Sequence, residues 1–203
     1  MEKKLTRKEQ AQLTKKNIYE AAIALVQEKG FENVSIEDIT TKANTAKGTF
    51  YLYFKSKQDL IYHTIHMYDE IALRSYEKVK NLDTFEEQLI AYLCYANEEI
   101  AQIGEKILNA LISLNLIKEQ KFVTAPGRAV LDMMQKVVEK GLETGELSKE
   151  HPAEFYVEMI VIFVQGLDYY WCNAAEGFDY VQATEREATI FAKGMTAVYG
   201  CKK

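Results

Sequence analysis

Between Ser35 and Phe54 the sequence encodes two short helices around a tight turn, and no other stretch restricts the fold so severely. Ser35-Ile-Glu-Asp38 matches a capping box, in which a hydroxyl and a carboxylate satisfy each other's orphan backbone N–H groups. The helix it opens, SIEDITTKA, presents Ile36, Ile39 and Ala43 for burial. Asn44 then suits a turn, because asparagine tolerates the left-handed region better than most residues. A third helix is predicted from about Ala46 to Phe54, with a fourth starting near Ser56 or Lys57. Upstream, Thr6 and Glu9 form another capping box, and Ile18, Ala21, Ala22 and Leu25 recur at helical spacing. Gly30 is expected to end that first helix in a left-handed conformation. Three helices with a tight turn between the second and third make a helix-turn-helix.

The third helix raises a chemical question. Its residues, KGTFYLYF, hold four aromatics in five positions, with Lys47 before them and Lys55 and Lys57 after. At about 100° per residue, Phe50 and Phe54 share one face, which is the expected core face. Gly48, Thr49 and Leu52 fall opposite, and Tyr51 and Tyr53 lie on the flanks. A core accounts for the phenylalanines but not for two tyrosines beside three lysines. Duplex DNA suits the outer face: phenol, hydroxyl and ammonium groups donate to phosphates, while threonine, leucine and lysine can meet base edges. The start of the fourth helix adds backbone N–H groups. The bland alternative is a small helical core with snorkelling lysines.

Composition supports a helical chain of ordinary size. Only two prolines and ten glycines occur in 203 residues, and 48% of residues are hydrophobic, so an all-α fold with a real core is expected. No segment approaches the roughly 18 apolar residues of a membrane span, and MEKKLTRKEQ lacks a secretory pattern. Cys94, Cys172 and Cys201 have no paired or metal-like spacing, which fits reduced thiols and a cytoplasmic location. Residues 1–57 carry 11 basic and 7 acidic residues, a net of +4, and the remainder carries 14 and 23, a net of −9. A basic front and an acidic rear suit different partners.

VSIEDITTKANTAKGTFYLYFKSKQDLIYHTI closely resembles the N-terminal DNA-binding region of the TetR family of transcriptional regulators. The resemblance covers roughly residues 15–65. It rests on the Ile-x-x-Ala of the second helix, the Lys-Gly-Thr-Phe-Tyr opening of the third, and the Tyr-x-Tyr-Phe-Lys-x-Lys-x-x-Leu passage into the fourth. It implies a helix-turn-helix domain over residues 1–56 and a helical ligand-binding and dimerisation domain over 57–203. It also implies that Lys47, Gly48, Thr49, Tyr51 and Tyr53 contact DNA, with Thr45 beside them, that Lys57 meets a phosphate, and that Ser35 meets the backbone. The turn departs from the pattern: Asn44-Thr45-Ala46 stands where many members have Gly-Val-Ser. Ala46 lacks the usual hydroxyl cap, typically worth about 1 kcal/mol, unless Thr45 supplies one.

Beyond Lys57, helices are predicted to about Lys80 and over 84–103, 105–118, 125–145, 152–176 and 183–199. Pro126 and Pro152 fall near helix starts, where a missing N–H costs nothing. FYVEMIVIFVQGLDYYW is apolar on more than one face, and Ala188, Ala192 and Gly194 permit close helix approach. These two last helices are expected to pair with a second subunit as a four-helix bundle. An apolar or aromatic effector is expected among Tyr92, Tyr95, Met133, Met134, Tyr156, Met159 and Phe163, residue types that line adaptable sites and also ordinary cores. Glu158 either faces a cationic ligand or points to solvent. No cofactor is implied.

The expected function is therefore a homodimeric repressor that a small molecule releases from a palindromic, double-stranded operator. Two rivals follow from the same residues. One is a DNA-binding adaptor whose body takes a protein partner. The other is a helical metalloenzyme using His63, His66 and Asp69, disfavoured because no complete ligand set is readable.

Overall fold

Helix caps set most of the element boundaries. The computed structural model describes residues 6–117 and 125–201, and among the described residues there are nine α-helices and no strand. These are α1 (Arg7–Lys29), α2 (Ile36–Lys42), α3 (Lys47–Tyr53), α4 (Lys57–Val79), α5 (Phe85–Ile103), α6 (Glu105–Ile117), α7 (Ala129–Thr144), α8 (Ala153–Asn173) and α9 (Tyr180–Tyr199). The all-α expectation is met. Both capping boxes form: the Thr6 hydroxyl accepts from the Glu9 N–H at 3.3 Å, and the Ser35 hydroxyl accepts from the Asp38 N–H at 3.1 Å. Gly30 ends α1 as expected, but at φ 79°, ψ 153°. That is an extended positive-φ conformation reserved for glycine, not the left-handed helical well.

The chain forms two compact units. The first holds the residues up to Ile65 together with Gly104–Leu114, and the second holds His66–Ile103 and the residues from Asn115 onward. The division between these units falls inside α4. The reason is packing: Leu60, Ile61, Thr64 and Ile65 are buried, and Thr64 receives a 3.1 Å hydrogen bond from the Tyr19 phenol of α1. The start of α6 belongs here as well, where the Lys106 ammonium donates to the Glu28 carbonyl at 2.7 Å. In this unit Ile18, Ala22, Val26, Val34, Ile39, Phe50, Phe54 and Ile61 are almost wholly buried.

The second unit has a core of its own. Phe85, Leu89 and Tyr92 of α5 pack with Val137 and Val138 of α7, Tyr156 and Ile160 of α8, and Ala188 and Ala192 of α9. The Glu146 carboxylate caps α5 from a distance in sequence, accepting the Phe85 N–H at 2.8 Å. It adds to a local capping box, in which the Thr84 hydroxyl accepts the Glu87 N–H at 3.2 Å and the Glu87 carboxylate accepts the Thr84 N–H at 3.3 Å. Near the opening of α7, Asp69 holds Arg128, whose Nε lies 2.9 Å from both carboxylate oxygens, and Asp69 also accepts the Val130 N–H at 3.3 Å.

Three boundaries differ from expectation. Helix α7 starts at Ala129, because Pro126 and Gly127 form a turn in which Gly127 takes φ 81°. Helix α8 ends at Asn173 where Ala174 becomes extended. Helix α9 starts at Tyr180, because the Asp179 carboxylate accepts the Gln182 N–H at 2.9 Å and caps the helix three residues early. Lys118, expected to close α6, lies outside the described residues. Among those described, no helix is long and apolar enough to cross a membrane.

Asp168 of α8 is tied to α9 through its neighbour. The Tyr180 phenol donates to the Asp168 carboxylate at 2.5 Å, and the Trp171 ring stacks on Tyr180 with centroids 4.1 Å apart. Enclosure of the carboxyl raises its pKa from 3.8 to about 6, opposed by the Tyr180 hydrogen bond. The folded protein therefore binds a proton that the unfolded chain releases between these values. Stability is highest below that window and falls as pH rises through it. Asp168→Asn retains an acceptor for Tyr180 and carries no charge. It is expected to raise stability by about 2 kcal/mol near neutral pH, with the gain gone at about pH 4. Urea midpoints of the two proteins at both pH values check this.

Candidate nucleic-acid interface

The turn between α2 and α3 is closed by backbone alone. The Ala43, Asn44 and Thr45 N–H groups donate to Ile39, Thr41 and Thr40 carbonyls at 2.9, 3.1 and 2.9 Å. Asn44 takes φ 51°, as its residue type allows. No side chain caps α3 at Ala46, so Thr45 does not replace the missing hydroxyl. The helix starts at Lys47 without one.

Phe50 and Phe54 are 0% and 1% exposed and contact each other with ring centroids 5.6 Å apart. His63 of α4 meets Phe54 edge-on at 5.3 Å, and the Lys15 ammonium lies 5.6 Å from the same ring. With its inner face held there, α3 turns the rest outward. Lys47 and Gly48 are exposed, Tyr51 is 50% exposed and Leu52 79%, and Thr45, Thr49 and Tyr53 are half-buried. Tyr51 is steadied by a perpendicular contact with Phe50 at 5.5 Å. A methyl group added at Gly48 would meet nothing within 4 Å.

An open groove of about 370 Å³ runs beside this helix, between the starts of α2 and α4. Ser35, Glu37, Tyr51, Lys55 and Lys57 line it. Three expected contacts therefore share one concavity with two helix N-termini. Ser35 is committed in part, since its hydroxyl donates to the Asp38 carboxylate at 2.6 Å. Lys57 is committed more fully. Its ammonium donates to the Phe31 carbonyl at 2.7 Å and lies 4.2 Å from the Phe31 ring centroid, tying α4 to the turn after α1. At the start of α4, the Ser56 hydroxyl accepts the Asp59 N–H at 3.1 Å and the Asp59 carboxylate accepts the Lys55 N–H at 3.0 Å.

Lys47 forms an ion pair with Glu37 of α2. Sequence reading did not single out Glu37. A carboxylate in a first helical turn is favourable at any helix start, and nothing in the spacing joins positions 37 and 47.

The expected effector residues divide. Tyr92, Met133, Met134 and Tyr156 are buried in the second unit's core, and Met159 and Phe163 pack against it. Tyr95 is 38% exposed with the Lys78 ammonium 4.6 Å from its ring centroid, so it stands apart from that group. The Tyr92 phenol is buried without a hydrogen-bond partner, and desolvation pushes its pKa well up. Glu158 faces solvent. The His63–His66–Asp69 set does not assemble as a metal site. Asp69 is taken by Arg128, His63 packs on Phe54, and no group of three or more His, Cys, Asp or Glu side chains converges among the described residues.

On α8 and α9, Ile162, Tyr169, Ile190 and Val198 are each more than half exposed, and Gly166 and Gly194 are open to solvent. Ala188 and Ala192, expected at a helix-helix seam with a partner, are instead buried in this chain's own core. The residues outside are the 190–194–198 stripe.

Residues 18–63 match the model of bacterial regulatory proteins of the tetR family. The helix-turn-helix-type transcriptional regulator YvdT of Bacillus subtilis is 59% identical over 44 residues, 22% of this chain and 23% of that protein, so the match spans about a quarter of the relative. The helix-turn-helix-type transcriptional repressor BepR of Brucella suis is 25% identical over 186 residues, covering 86% of this chain and 88% of that protein. The crystal structure of the transcriptional regulator FadR of Bacillus subtilis in complex with stearoyl-CoA superposes with a TM-score of 0.70 at 21% identity, over 88% of this chain and 98% of that one.

The inner face of α3 is the part of this surface most open to a stability test. Phe50→Ala is expected to cost the N-terminal unit about 3–5 kcal/mol. Amide exchange should accelerate through α2 and α3, while the α5 and α9 amides of the other unit keep their protection.

Proposed function

We propose that this chain, which belongs to the tetR family of bacterial transcriptional regulators, is a cytoplasmic homodimeric repressor released from a palindromic operator by a small molecule. The observation that carries the DNA-binding part is the outer face of α3. Exposed Leu52 and half-exposed Tyr51 are costly to leave in water, and Gly48 weakens a helix whose fold makes no use of it. Each makes sense if another surface approaches closely.

In this reading Lys47, Gly48, Thr49, Tyr51 and Tyr53 enter the major groove, with Thr45 at the leading edge. Tyrosine and threonine hydroxyls hold phosphates, while Lys47 and Thr49 meet base edges. Ser35 and the first N–H groups of α4 flank the groove beside Tyr51 and suit a phosphate. Lys57 contributes through that backbone, since its ammonium is occupied by Phe31. A dimer presents two such helices about 34 Å apart.

The dimer is proposed to form through the outer stripes of α8 and α9. Ile162, Tyr169, Ile190 and Val198 offer apolar surface, and Gly166 and Gly194 allow backbones to approach. The effector is proposed to enter the second unit's core near Tyr92, whose unpartnered phenol would gain a hydrogen bond from a mainly apolar ligand. Stearoyl-CoA, bound by the Bacillus FadR, includes a chain of that chemistry. A hundredfold loss of operator affinity requires about 2.7 kcal/mol of differential binding between the two states. Helices α4 and α6 contribute residues to both units and are the elements proposed to carry it.

Gly48→Ala separates folding from recognition. It should leave stability unchanged or raise it by about 0.5 kcal/mol, yet weaken binding to a selected operator at least about tenfold. Unchanged affinity in a gel-shift titration would remove α3 from the interface. Ile190→Glu is expected to convert the dimer to monomer in sedimentation velocity, because a carboxylate would be buried without a partner. A dimer unaffected by it would place the subunit contact elsewhere.

A further inference from the structure

Glu37 places a carboxylate on the surface proposed to face DNA, and its partner is the first residue of the recognition helix. It pairs with the Lys47 ammonium, with side chains 63% and 53% exposed respectively. Each group is shifted as mutual attraction requires. Glu37 lies below its ordinary pKa, chiefly through the hydrogen bond from Lys47, and Lys47 lies above its own through the same bond. Glu37 also lines the groove with Ser35, Tyr51 and Lys57. Neither partner contributes to the core, and the turn between their helices is already closed by backbone hydrogen bonds. The pair is therefore dispensable for building the motif.

We infer that Glu37 is an affinity-setting residue, an internal substitute for phosphate that occupies Lys47 until duplex DNA displaces it. This rests on the DNA-binding reading given above. The chemistry is an exchange between oxygen anions: Lys47 leaves a carboxylate to reach a phosphate or a guanine edge, and Glu37 is left near the duplex. An exposed pair of this kind shifts an equilibrium by no more than about fivefold, so DNA wins the exchange while every complex is weakened by that factor. Salt dependence should carry the same mark. Salt screens the internal pair as well as the DNA contact, so Lys47 adds less to the salt slope than a free lysine would.

The test uses the full-length protein and the isosteric Glu37→Gln, titrated against a scrambled duplex and a selected operator between about 50 and 200 mM salt. Glu37→Gln should bind both duplexes about three to fivefold more tightly at the lowest salt, with a salt slope steeper by up to about one unit. In a Lys47→Gln background the same change should give little gain, because there is no ammonium to release. Equal affinity of Glu37→Gln and wild type would overturn the inference. So would a gain that persists in full without Lys47, which would mean simple repulsion of DNA by the carboxylate. If wild type binds no duplex at any salt, the DNA-binding reading fails and takes this inference with it.

Discussion

The N-terminal unit depends on two phenyl rings being out of water. Phe50 and Phe54 are one helical turn apart, both almost fully buried and in contact with each other. Helix α3 is only seven residues long and has no side-chain cap. A helix this short is unstable alone, because nucleation is costly and few intrahelical bonds form. Burial of the two rings, each worth about 2–3 kcal/mol by area, holds it as a helix and fixes its rotation about its own axis. That rotation determines what is presented outside. Every property of the outer face, from the bare Gly48 to the projecting Leu52, follows from which side the rings occupy.

Caps and turns explain why so much of this unit was legible. Thr6 with Glu9 and Ser35 with Asp38 satisfy backbone donors at fixed spacing, and Asn44 takes the positive φ that its side chain tolerates. These are local contracts between neighbouring residues, and a sequence states them directly. The phenylalanine spacing is equally local. The pairing of Lys47 with Glu37 and of Lys57 with the Phe31 carbonyl is not, since those partners are separated by 10 and 26 positions. Spacing shows neither acceptor, because the chain reversals that bring Glu37 to Lys47 and the Phe31 carbonyl to Lys57 leave no local pattern.

The second unit shows the same limit more strongly. Periodicity located all its helices, yet three ends moved where a loop residue acted first: Gly127 in a turn, Ala174 extended, and Asp179 as an early cap. Thr84 caps α5 locally, within the break that the sequence shows, but the added cap from Glu146 spans 61 positions and has no sequence signal. Periodicity also fails to say which apolar face of a helix meets its own core. Ala188 and Ala192 suit a partner's helix by composition, but they are buried in this chain's own core, and the exposed stripe lies one face around at Ile190, Gly194 and Val198. Similarly, Tyr95 shares a helix with Tyr92 but lies about 60° around it, at the edge of the buried face, and is 38% exposed where Tyr92 is 1%.

The placement of charge ties these observations to function. A net of +4 on the first 57 residues is a weak field for a DNA-binding surface, and part of it is already in use at Glu37, Phe31 and the Phe54 ring. Bulk electrostatic attraction to any duplex is correspondingly modest, since non-specific affinity grows with the number of cations free to displace counterions. If α3 reads DNA as proposed, recognition there rests more on close fit than on charge. On the proposed reading, a glycine that admits the duplex, a leucine and a threonine methyl that find apolar base surface, and a Tyr51 held against Phe50 would all contribute through contact distance. Contact of that kind falls away over a fraction of an ångström, so a surface built this way is sensitive to small changes in helix placement. The proposed release of DNA by a modest signal is consistent with binding in this manner.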